Sequence, residues 1–207
     1  MELQEQLRKI SPADGYYMEM AKERWRTVAK PLHSLGKLED AVIRMAGMKS
    51  RVDFGIDKKA LVIMCADNGV VAEGVTQTGQ EVTAIVAENF TRGAASVCMM
   101  AQVAGAELFP VDIGMASDVP GLTRAEYKIA RGTGNMARDP AMTREQAARA
   151  VLTGIRIVEE LADKGYDLIA TGEMGIGNTT TSSALASVLL GCDPETVTGR
   201  GAGLSTE

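Results

Sequence analysis

Histidine is almost missing from this chain: His33 is the only one among 207 residues. A metal centre built on two or three imidazoles is therefore excluded within it, and acid–base work falls to carboxylates. Cysteine is sparse and odd in number, with Cys65, Cys98 and Cys192 far apart and each set in an apolar stretch. That pattern fits buried thiols in a reducing compartment and speaks against a disulfide framework. Aromatic residues make up only 4%, too few for a base-stacking platform. The 22 basic side chains are outnumbered by 27 acidic ones, giving a formal charge of −5, and no basic run exceeds two residues. Nucleic acid and anionic membrane surfaces are accordingly set aside as partners. No apolar window approaches the roughly 18 residues of a membrane span, and the charged N-terminus MELQEQLRKI has no apolar core and no cleavage site. The expected location is the cytoplasm, and neither a metal nor a cofactor is expected.

Glycine and methionine are plentiful, at 22 and 12 residues. The glycines cluster directly after apolar runs, as at strand-to-loop junctions, and the methionines share the core with Ala, Val, Ile and Leu. The first fifty residues read as helical. Ser11 as N-cap, with Pro12 and Asp14 in the first turn, opens a helix to about Lys30, and a second helix spans 35–48. The apolar run Ala60-Leu61-Val62-Ile63-Met64-Cys65-Ala66 then predicts a strand buried on both faces, ended by Asp67-Asn68-Gly69. Thr78 with Glu81 forms a capping-box pattern for a helix reaching Ala101, with Gly93 as a kink or close-packing point. A second strand is expected over 107–113, with Pro110 suggesting a sheet edge or a shorter strand. Thr143 and Gln146 cap the next helix, which Gly165 ends. A third strand over 166–171 leads into the glycine-rich segment 172–181 and a helix through Leu190. Alternation of strand and helix predicts an α/β fold with a parallel sheet and helices on its faces.

Each strand ends with a carboxylate beside a glycine: Asp67-Asn68-Gly69, Asp112-Ile113-Gly114 and Glu173-Met174-Gly175. Carboxyl ends of strands are where open α/β sheets keep their ligand crevice. Singly, each acid reads as a loop or helix cap; three together point to a site. The 172–181 segment puts unpaired backbone N–H groups at the positive end of a helix, which suits a phosphate. Asn178, Thr179, Thr180 and Thr181 add side-chain donors. No lysine of a Walker loop is present and GxGxxG is not matched, so a phosphomonoester fits better than a nucleoside triphosphate or a dinucleotide. The plainer reading is a turn that permits tight packing, with Asn178 or Thr179 as N-cap. Two further glycine-rich loops, at 131–136 and 199–203, each read alone as turns. His33 reads as structural, and Trp25 and the Met99-Met100 pair as core or dimer packing.

Five blocks taken together carry a resemblance: Lys30-Pro31-Leu32-His33-Ser34-Leu35-Gly36-Lys37-Leu38-Glu39, Ala66-Asp67-Asn68-Gly69-Val70 with Gln80-Glu81-Val82-Thr83, Gly132-Thr133-Gly134-Asn135-Met136, Gly172-Glu173-Met174-Gly175-Ile176-Gly177-Asn178-Thr179-Thr180, and Gly199-Arg200-Gly201-Ala202-Gly203. In order and spacing the chain resembles the nicotinate-nucleotide:dimethylbenzimidazole phosphoribosyltransferase family. The resemblance implies transfer of phosphoribosyl from nicotinate mononucleotide to 5,6-dimethylbenzimidazole in cobalamin nucleotide-loop assembly. It also implies a homodimer with a Rossmann-like large domain, here 51–207 and C-terminally incomplete, and a small helical domain to which 1–50 contribute. By the resemblance, Glu173, Met174, Gly175, Gly177, Asn178, Thr179, Thr180, Gly201 and Gly203 belong to the site. The segment 173–180 lies near ribose and phosphate, while Met174, Gln80 and the loop starting at Asp67 and Asn68 lie near the aromatic base. Glu173 is expected as a supporting carboxylate.

Two departures stand out. The family's first block has Pro-Gly where this chain has Leu32-His33. The family also continues well past the position of Glu207, with its proposed general-base glutamate in that continuation, so these 207 residues alone are expected to be inactive. A second reading is a truncated, non-catalytic phosphate- or nucleotide-binding module. A third, a Rossmann-like nucleotide binder of another family, is weakened by the missing GxGxxG.

Overall fold

The computed structural model describes residues 3–122 and 125–201. The chain divides into two compact units, Met1–Ile56 and Asp57–Glu207.

The first unit is helical: α1 (Leu3–Leu7), α2 (Gly15–Thr27) and α3 (Lys37–Lys49). Helix α2 starts later than Ser11 because Asp14 takes the N-cap, its carboxylate accepting from Tyr16 N at 2.9 Å. Between α2 and α3, Lys30 Nζ donates to Glu39 Oε1 at 2.6 Å and lies 5.1 Å from the centre of the Trp25 ring. The Leu35 amide also donates to Glu39 Oε1, at 3.1 Å. Lys30 and Glu39 bracket the first sequence block, so part of that block is fold-forming. His33 adopts φ 56°, the left-handed region that glycine enters most easily, at the position where the family pattern has glycine.

The second unit is a three-stranded parallel sheet in the order β2-β1-β3, made of β1 (Lys59–Ala66), β2 (Ala106–Gly114) and β3 (Leu168–Met174). Around it run α4 (Glu81–Thr91), α5 (Ser96–Ala104), α6 (Arg144–Asp163), α7 (Asn178–Leu190) and the short α8 (Pro194–Val197). The central strand alternates. Ala60 and Val62 pack with Val111, Tyr127 and with Ile157 and Leu161 of α6, while Ile63 and Cys65 pack with Met115 and with Ala87 and Phe90 of α4. Both faces of β1 are thus covered, which is why its sequence is a continuous apolar run. Pro110 sits in β2 at a sheet edge, as expected. Burial pushes the Cys65 thiol up to about 12, so it is inert at neutral pH; Cys98 and Cys192 are free and half-buried.

Several boundaries differ from expectation. The 78/81 capping box does not form: α4 has Gln80 as its N-cap with no side-chain cap bond, and the Thr78 carbonyl accepts from Thr76 Oγ1 instead. The long helix expected to reach Ala101 is split into α4 and α5 by Gly93, whose φ of 69° cannot continue a helix. Strand β3 starts and ends later than 166–171. The Tyr166 amide is used at the end of α6, bonding Leu161 O, and β3 runs as far as β1 can pair with it, to Cys65 opposite Met174. The Thr143/Gln146 capping box is complete, with bonds of 3.1 and 2.8 Å. Met99 and Met100 are mostly exposed and are not core residues of this chain.

Candidate functional site

Parallel pairing brings all three strand ends to one edge of the sheet, but their carboxylates do different work. Asp67 is only 1% exposed. Its Oδ2 accepts from Ala116 N at 2.7 Å, its carbonyl accepts from Thr133 N, and Oδ1 is buried with no hydrogen-bond partner. Asp112 accepts from Met115 N at 2.8 Å and pairs with Lys128 at 2.9 Å. These two acids tie loops together. Glu173 lines a cavity, and although the residue is exposed, partial desolvation of its carboxyl raises its pKa above the ordinary value.

That cavity, about 410 Å³, lies over the end of β3. Glu173, Met174, Gly175, Gly177, Asn178, Thr179, Thr180 and Gly201 all line it. Gly203 falls outside the described residues. Asp67 and Asn68 are not among the lining residues, and Gln80 lines a second cavity of about 310 Å³ with Gly69, Arg131 and Thr133. Met174 and Gln80 therefore face different cavities. Sequence reasoning passed over Val75, Thr76, Gln77 and Thr78, which line the cavity together with Ser183, Thr198 and Arg200. The signal was available, since 75–78 follow the end of β1, where α/β crevices gather polar side chains, and Arg200 sits inside a quoted block.

The loop 175–177 has its glycines for steric reasons. A Cβ on Gly175 would stand 2.2 Å from the Ala66 carbonyl oxygen, and one on Gly177, whose φ is 87°, would stand 2.8 Å from Val71 Cγ2. The loop is thus laid directly across the end of β1. Gly177, not Asn178 or Thr179, caps α7 with no side-chain bond. The Asn178 amide bonds back to Gly175 O at 3.0 Å and the Thr181 amide to Gly177 O at 3.3 Å; the Thr179 and Thr180 amides between them are first-turn donors without an intrahelical acceptor, and both residues line the cavity. Positive helix dipole, amide donors and hydroxyls converge as an anion site would require.

An α/β sheet with a donor-rich glycine turn and a carboxylate at one strand end is an arrangement that can receive a phosphorylated ligand. Residues 10–207 match the model of the phosphoribosyltransferase family, and the chain belongs to that family. It is 44% identical over 205 residues to nicotinate-nucleotide--dimethylbenzimidazole phosphoribosyltransferase of Clostridium tetani, covering 99% of this chain and 57% of that protein. Identity to the protein of the same name from Acetivibrio thermocellus is 47% over 190 residues, 92% of this chain and 54% of that one. Among solved structures, CobT from Thermus thermophilus superposes with a TM-score of 0.85 at 40% identity, over 92% of this chain and 58% of that one. The chain thus spans a little over half the length of the curated relatives it matches.

Proposed function

We propose that the protein of which these residues form part transfers phosphoribosyl from nicotinate mononucleotide to 5,6-dimethylbenzimidazole. The products are α-ribazole 5'-phosphate and nicotinate, in cobalamin nucleotide-loop assembly. The observation that carries this is the cavity in which the amide end of α7, Thr179, Thr180 and Glu173 meet. The names of the relatives support the same chemistry.

In this reading the phosphate rests on the start of α7 and the ribose lies towards Glu173. The bond between ribose C1 and the pyridinium nitrogen breaks, its electron pair leaving with nicotinate. A benzimidazole nitrogen attacks C1, and its partner nitrogen sheds a proton to a carboxylate. Positive charge develops on the ribose ring in the transition state, and an ionised Glu173 offsets it. The resemblance puts the proton acceptor, a glutamate, in the family's continuation past the position of Glu207, so turnover by these 207 residues alone is not expected. The enzyme acts in the cytoplasm as a homodimer. Residues 1–50 contribute to its small domain and 51–207 to its large one.

The test is phosphoribosyl transfer by this chain and by a full-length protein, with and without Glu173→Gln. Product is expected from the full-length form alone. Because only ionised Glu173 helps and its pKa is raised, kcat should climb with pH above the ordinary carboxylate range, and Glu173→Gln should lower kcat and abolish that limb while sparing nicotinate mononucleotide binding. No product from either length would overturn the assignment; an unchanged kcat in the variant would remove Glu173 from it.

A further inference from the structure

The backbone of Ile176, between two glycines that line the cavity, is held at both its N–H and its carbonyl by side chains that do not line the cavity. Its N–H donates to Thr83 Oγ1 of α4 at 3.0 Å, and its carbonyl accepts from Asn68 Nδ2, just past β1, at 3.1 Å. Asn68 is engaged at two further atoms. Its Oδ1 accepts from Thr181 Oγ1 in the first turn of α7 at 2.9 Å, and its backbone carbonyl accepts from Gln80 Nε2 at 3.0 Å. Thr83 is completely buried and Asn68 nearly so.

Glycine-flanked peptides have the widest conformational choice of any, and a loop that must be ordered by its ligand weakens binding by the cost of ordering. Gly175 and Gly177 have no side chains with which to hold the loop, so its shape has to be imposed from outside. Resting on the phosphoribosyl reading above, we infer that Thr83 and Asn68 are positioning residues. Together they fix the Ile176 peptide, and through Thr181 the start of α7, in the conformation that receives the phosphoribosyl group. Thr83 is well placed for this because its backbone belongs to α4, which packs against the sheet, so the loop is referenced to the core.

Thr83→Val keeps the shape and removes the acceptor; Thr83→Ser keeps the acceptor. In the full-length protein, Thr83→Val should weaken nicotinate mononucleotide and ribose 5-phosphate alike by about tenfold, the order of one lost buried hydrogen bond. Thr83→Ser should return affinity to within about twofold, and the Ile176 amide should lose hydrogen-exchange protection in the valine variant only. If Thr83→Val does not fold, Asn68→Leu makes the same comparison from the carbonyl side. Unaltered affinity in a folded Thr83→Val variant, or no rescue by serine, would overturn the inference. An unsubstituted full-length protein that binds neither ligand would overturn the phosphoribosyl reading itself, and with it the ligand assigned to this loop.

Discussion

Glu39 shows how one side chain can organise a whole segment. It is 5% exposed and accepts from Lys30 Nζ and from the Leu35 amide. The hydrogen bond from Lys30, then that from Leu35, holds its carboxyl below the ordinary range. In the unfolded chain no such partners exist, so the unfolded pKa is ordinary, near 4.3. The stabilisation is therefore complete above that value and is lost as pH falls through the lower, folded pKa. Wild-type helical signal over the first unit should weaken on acidification. Glu39→Gln should melt at a lower temperature than wild type at pH 7, with the gap closing as acid is added. Parallel melting curves from pH 7 to pH 3 would contradict this. The same residue type serves other ends elsewhere. Asp67 and Asp112 hold loops, whereas Glu173 faces a cavity, and nothing in the three similar strand-end sequences distinguishes them.

Among the elements, the turn from β3 into α7 has little steric latitude while the middle of α6 has much. Gly177→Ala would force a Cβ into the left-handed region, at roughly 1–2 kcal/mol, and against Val71. It should lower unfolding stability in urea by about 2 kcal/mol and weaken nicotinate mononucleotide binding as α7 tilts away. Gly154, inside α6 with open space around its Cβ position, should do the opposite on Gly154→Ala, gaining about 0.5–1 kcal/mol from helix propensity. Equal effects at the two glycines would sink the argument. This contrast also marks what could be read from sequence. The alternation of apolar runs and capping patterns located β1, β2 and α6, because β1's two-sided burial and the Thr143/Gln146 box are local signatures. The same capping pattern at Thr78 misled, because Thr78 and its neighbours turn towards the cavity and Gln80 takes over the cap. The glycine-rich block was legible as a site. The grip of Thr83 and Asn68 on Ile176 was not, because those residues stand 93 and 108 positions away in sequence and meet only through the parallel pairing of β1 and β3.

Over the second unit as a whole, burial falls from β1 outwards. Ile63 is 3% exposed between the sheet and α4, whereas Val188 and Leu189 on α7 are about four-fifths exposed and none of that helix's residues is buried. Large apolar side chains on Met99, Met100 and Val103 of α5 are likewise open. The stability of the isolated chain therefore rests on the two clusters flanking β1, and α7 is retained through its N-terminal hydrogen bonds more than through its outer face. Ile63→Ala should cost about 2–5 kcal/mol by leaving a cavity, while Val188→Lys should change stability by no more than about 0.5 kcal/mol and should improve solubility by breaking the apolar patch. Chemical denaturation of both variants at several protein concentrations decides the point. A large, concentration-dependent loss for Val188→Lys would mean that the outer face of α7 is covered by another copy of the chain in solution, and that stability is not confined to the clusters flanking β1.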